Sequence, residues 1–159
     1  MEHDFADDIA AVARIDGVET LLRQVCDDTG MGFAAVARVT DQRWIACQVE
    51  DRIEFGLKPG DELELKTTIC EEIRCSGRGV YIDAVAGHDD WQTHHTPTLY
   101  GFQSYISVPI TRADGSFFGT LCAIDPAPRE TSLADYYAQM ESYAAQIATR
   151  STVRRAAGT

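Results

Sequence analysis

The stretch Ser116–Asp125, SFFGTLCAID, is apolar on both of its faces. In an extended chain Leu121 and Ala123 point one way, Cys122 and Ile124 the other. A strand of that kind has to lie inside a sheet that is covered on both sides. Asp125-Pro126 ends it, because proline cannot supply the next ladder donor. Gly119 costs stability inside a strand, so it predicts a bulge or the close approach of a second backbone. The chain must therefore supply a sheet and two covering layers. Its 159 residues are one domain's worth of polypeptide, enough to bury a core without staples.

The other elements can be read along the chain. Phe5, Ile9 and Val12 keep helical spacing in an acidic extension, residues 1–15. The main domain is expected over 16–150. Asp16 and Glu19 have capping-box spacing, Val18, Leu21, Leu22 and Val25 form one helical stripe, and Gly30 stops it. Phe33–Thr40 and Arg43–Glu50 read as strands about a turn at Asp41-Gln42. A Pro59-Gly60 turn precedes a short strand at Glu62–Lys66. Thr68 and Glu71 open a short helix with Ile69 and Ile73 on one side, ended by Gly77. Val80–Asp83 is a further strand. Asp89 or Asp90 caps a helical turn carrying Trp91, His94 and His95, closed by Pro97. Ser104–Thr111 joins Ser116–Asp125 through Ala113-Asp114-Gly115. Ser132 and Asp135 cap a last helix with Leu133, Tyr136, Tyr137, Met140, Ala144 and Ile147 on one side. Residues 151–159 read as a tail or cut linker.

The fold class that follows is α+β. An antiparallel sheet of five to six strands carries the terminal helices on one face. Short helices and loops of the middle segment lie on the other, with a ligand pocket between.

Charge narrows the function. The formal net charge is −11, and residues 1–90 hold twenty acidic and nine basic side chains against five and five in the rest. That balance argues against a nucleic-acid groove and against docking on an anionic membrane. No stretch approaches a membrane span, and the acidic start has no apolar core of a signal peptide, so the cytoplasm is expected. From Trp91 to Thr111 no residue is charged. Five cysteines without a C-x-x-C pair read as reduced thiols acting as small hydrophobes. No P-loop, H-E-x-x-H or G-x-S-x-G appears. His94-His95 is a poor metal pair, since consecutive side chains diverge on a helix, so no metal is expected.

Three segments together resemble the GAF domains, small-molecule sensor modules of signalling proteins. They are the hairpin Phe33–Glu50 with its D-x-x-W; Ile82-Asp83 followed by Asp89-Asp90-Trp91, His94/His95, Leu99 and Ser104-Tyr105-Ile106-Ser107-Val108-Pro109-Ile110; and Phe118-Gly119-Thr120-Leu121-Cys122-Ala123-Ile124-Asp125-Pro126. The match is similar above all to the N-terminal GAF modules of bacterial sensor histidine kinases and diguanylate cyclases. It implies a sensory or regulatory domain with no catalysis of its own, and a downstream kinase or cyclase effector.

The ligand site expected on this basis combines Cys70, Asp83, Trp91, His94, His95, Thr98, Tyr100, Phe102, Tyr105 and Ser107. No cofactor is assigned. A bilin is disfavoured because Glu71, not histidine, follows Cys70, and haem has only the diverging histidines. With no Lys or Arg from Gly79 to Thr111, a neutral or weakly polar small molecule is favoured over a polyanion. The terminal helices carry stripes broad enough for a homodimer. Two alternatives stand beside this reading: a thiol redox sensor or enzyme using Cys70, and a pure dimerisation scaffold with a filled pocket.

Overall fold

A computed structural model describes Val12, Ile73 and residues 17–40, 43–53, 55–63, 77–82, 103–112, 115–127 and 133–157, with side chains described as far as 149. The elements are α1 (Val18–Thr29), β1 (Phe33–Val39), β2 (Trp44–Asp51), β3 (Glu62–Leu63), β4 (Val80–Ile82), β5 (Ser104–Thr111), β6 (Phe117–Asp125) and α2 (Ala134–Ala157).

The doubly apolar strand is β6, and it lies inside the sheet. The six strands are ordered β3-β2-β1-β6-β5-β4, every neighbouring pair antiparallel. Leu121 and Ala123 face a core shared with Leu22, Val25, Met140 and Ile147 of the two terminal helices. Cys122 and Ile124 face a second core with Phe33, Tyr105, Leu57 and Ile73. Burial of the larger of these side chains, at roughly 1.5–3 kcal/mol for each Leu, Ile, Val, Phe or Met, is what drives two layers onto one sheet. The middle segment expected over the second face falls mostly outside the described residues; Ile73 and the 53–57 loop are the parts of that cover that are described.

Gly119 does what its position predicts. A Cβ there would run into the carbonyl oxygen of Ala37 on the paired strand. The register of β5 and β6 shifts between Ile110 and Thr111, immediately beside Gly119 on the ladder. A second irregularity, at Val36/Ala37, leaves Cys47 of β2 as the extra residue and brings Val49 onto the same face as Ala46, three positions away.

One local expectation is corrected. α1 starts at Val18 behind Gly17, which takes the left-handed φ of 83°, and no side chain caps it. The Asp16–Glu19 capping box is therefore not the start of this helix: a glycine N-cap has no side-chain acceptor to offer. The other end is as expected, with Gly30 left-handed and its N–H bonded to the Cys26 carbonyl. Gly77 likewise closes onto Ile73, its N–H 2.8 Å from that carbonyl. Strand ends differ from expectation by one residue at most where described. The turns Asp41-Gln42 and Ala113-Asp114, the Ser132 cap, the 1–11 helix and the turn bearing Trp91 lie outside the described residues. Among the described residues, no helix is long and apolar enough to cross a membrane.

Candidate functional site

The face of the sheet turned away from α1 and α2 is graded in side-chain size. Strand register sorts it into rows running across the strands. One row, Phe33, Ile124, Tyr105 and Ile82, is bulky. The next, Val49, Ala35, Cys122, Ser107 and Val80, is small at its centre. The third, Ala46, Ala37, Thr120 and Pro109, is small as well. Trp44 and Val39 close the far side. The two middle rows thus form a trough between bulky rims, roughly 14 Å from β2 to β5 at the usual strand spacing. No side chain of those two rows is charged.

Phe55, Ile53 and Leu57 pack over the β1–β2 end, the Phe55 and Phe33 rings 4.9 Å apart. This arm is held by Asp51, whose carboxylate accepts the N–H groups of Ile53, Phe55 and Gly56 at 3.2, 3.0 and 2.9 Å. At the base of the arm, Gly32 donates to the buried Asp125 carboxylate at 2.9 Å, and Ala127 donates to its other oxygen. The D-P end of β6 therefore ties the start of β1 to the end of the central strand.

Ser107 is the unusual group. Its side chain is completely buried on β5, between Cys122 and Val80, and its Oγ has no hydrogen-bond partner. A buried hydroxyl without a partner costs about 1–3 kcal/mol. Nε1 of Trp44, a residue 3% exposed at the far rim, is a second buried donor without one.

On the helical side, the residues just before β4 meet α2. The Gly79 N–H donates to the Tyr137 hydroxyl oxygen at 2.9 Å, and the Tyr81 and Tyr137 rings meet edge-on with centroids 6.2 Å apart. A cleft of about 500 Å³ opens beside them, lined by Arg78, Tyr81, Pro109 and Glu141 among others.

Of the residues expected to bind ligand, the structure brings Tyr105 and Ser107 onto this face, two residues apart on β5. Cys70, Asp83, Trp91, His94, His95, Thr98, Tyr100 and Phe102 lie outside the described residues. The trough's own floor, Ala35, Ala37, Ala46, Thr120 and Cys122, was not singled out from sequence. No pattern within one strand marks it, since Ala35 and Ala37 stand beside the equally small Ala34 and β2 contributes Ala46 alone. Cys26, Cys47 and Cys122 are buried and in no disulfide, and burial pushes the Cys26 thiol up to about 11. A thiol so shifted holds its proton at neutral pH and is a poor nucleophile.

Comparison with known proteins bears on the fold. The GAF domain family matches residues 14–150. No curated protein matches the sequence. Among solved structures, the GAF domain of an Acinetobacter phosphoenolpyruvate-protein phosphotransferase superposes with a TM-score of 0.67 at 14% identity, covering 99% of each chain. The free methionine-R-sulfoxide reductase of Neisseria meningitidis, solved with its substrate, gives 0.68 at 16% identity over 96% of this chain and 84% of that one. A Burkholderia vietnamiensis protein described as a GAF sensor gives 0.63 at 15% over 87% and 80%.

Proposed function

Because this chain belongs to the GAF domain family, we propose that it is a sensory or regulatory module that binds a neutral or weakly polar small molecule on the trough face and performs no chemistry itself. The observation that carries the reading is the Ser107 hydroxyl, buried without a partner on a floor of small side chains. Buried polar groups are almost always bonded, so an unbonded one calls for an explanation, and a bound small molecule supplies one here. Two solved relatives support it in outline, one described as a sensor and one solved with a small substrate. The uncharged middle rows favour a neutral occupant, since a charged one would be stranded without a counter-ion.

The mechanism is population shift. An occupant that bonds Ser107 stabilises one arrangement of this face of the sheet, and the terminal helices report it. A homodimer through those helices, a kinase or cyclase effector and a cytoplasmic setting belong to the same proposal.

The test is the native mass and absorption spectrum of the purified protein, followed by thermal-shift screening of nucleotides, amino acids, indoles, haem and bilins. A compound that raises the melting point of the wild type and loses at least half of that effect in Ser107→Ala supports the reading. No bound mass and no shift across the panel favours a scaffold with a filled pocket. A methionine sulfoxide reductase activity lost in Cys70→Ser would establish the thiol alternative instead.

A further inference from the structure

Occupancy of the trough has to leave the trough to matter, and one short path leads from Ser107 to the terminal helix. Ser107 pairs with Val80 across the β5–β4 ladder. The residue before Val80 is Gly79, packed so tightly that a Cβ on it would stand 2.5 Å from the Tyr137 hydroxyl oxygen and 2.6 Å from the Ser107 carbonyl oxygen. Its N–H is committed to Tyr137 at 2.9 Å, 58 positions away in sequence, and the neighbouring Tyr81 ring abuts the Tyr137 ring. Gly79 is thus wedged between the backbone of the residue that carries the unpartnered hydroxyl and a phenol on α2. Gly79 therefore borders the Ser107 carbonyl on one side and is hydrogen-bonded to α2 on the other.

We infer that Tyr137 is the positioning residue through which the trough face is coupled to α2, with Gly79 as the intervening contact. This rests on the sensory reading above for its purpose, but not for its test. The phenol is suited to such coupling. Its hydroxyl lies at the end of a rigid arm with two torsions, so movement of the Gly79 N–H turns the ring and with it the first turns of the helix. A side chain at position 79 would separate the two, which accounts for glycine there at an ordinary, non-left-handed φ.

The test needs no ligand, because a larger side chain at position 107 acts as a fixed occupant. Ser107→Val, and the milder Ser107→Thr in case the first does not fold, are made in the wild type and in Tyr137→Phe. Amide hydrogen exchange is followed at Gly79, Val80 and Tyr81 and over Asp135–Met140 of α2. In the wild-type background the enlarged side chain should change exchange both over Gly79, Val80 and Tyr81 and in α2 by about threefold or more, the lower range for residues coupled through shared contacts. In the Tyr137→Phe background, where the Gly79 N–H has lost its acceptor, the change at Val80 and Tyr81 should remain and the change in α2 should vanish. A Tyr137 that served only packing would loosen α2 by the same factor whatever stood at position 107; that additive outcome overturns the inference. So does an α2 that ignores the substitution in both backgrounds. Failure here would leave a thermal-shift ligand standing, and absence of any ligand would leave this coupling standing, so the two readings fail separately.

Discussion

Replacing Ser107 by alanine should stabilise the ligand-free protein. In the structure its Oγ is wholly buried and bonded to nothing. The desolvation cost of such a hydroxyl is about 1–3 kcal/mol. Alanine removes that cost, and in exchange forfeits the dispersion contacts of one small atom, a few tenths of a kcal/mol. The balance is a gain of about 1 kcal/mol. For a domain of this length that is an increase in Tm of about 3 °C, or a higher urea midpoint with the slope unchanged. The same substitution should weaken a ligand that bonds the hydroxyl by about tenfold, since about 1.4 kcal/mol is one decade in affinity. Stability and binding should therefore move in opposite directions. A fall in Tm of about 2 °C or more would refute the reasoning, because it would mean that the hydroxyl is already bonded in the free protein.

Three further outcomes follow from the described contacts. Gly119→Ala drives a Cβ into the Ala37 carbonyl between paired strands, and should cost about 3 kcal/mol or more in urea unfolding, or prevent folding. Asp125→Ala leaves the N–H groups of Gly32 and Ala127 without their carboxylate acceptor, and should cost about 3 kcal/mol by the same measurement. Cys26 is a thiol whose folded pKa, about 11, lies above the ordinary 9.0 because burial disfavours the thiolate. The unfolded chain therefore loses this proton first as pH rises. Its contribution is intact below pH 9 and is lost between about pH 9 and 11, a decline of about 2–3 kcal/mol that Cys26→Ala should abolish in a pH series of urea midpoints.

The parts of this fold legible in the sequence are those with a local cause. β5 could be placed residue for residue, because turn signals and alternation bound it on both sides. The central, doubly covered place of β6 followed from two apolar faces. The stop at Gly30 followed from a glycine after an apolar stripe. The start of α1 was misplaced because Gly17 begins the helix through its backbone, with no polar side chain to announce it. Sheet order was out of reach for a different reason: β1–β6 is an encounter between residues such as Val36 and Leu121, which no local pattern records. The trough was hidden in the same way. Ala35, Ala37 and Ala46 are ordinary in their own strands, and become a floor only when register sets them beside Cys122 and Thr120. Tyr105 and Ser107 could be found because the uncharged stretch around them stood out, whereas Gly79 and Tyr137 meet across the sheet edge and carry no shared signal.

The strand order also governs when this domain can exist during synthesis. β1 and β2 emerge first and pair at once, but the other edge of β1 must wait for β6, roughly 80 residues later. Until then the nascent chain presents one unpaired edge of this apolar strand, FAAVARV, to anything nearby. The central strand is thus the last to arrive and the one that closes both halves of the sheet. Folding of this chain should accordingly be a slow, late event dominated by distant contacts, and a ribosome stalled before Asp125 should hold a hairpin that depends on chaperones, not a half-built domain.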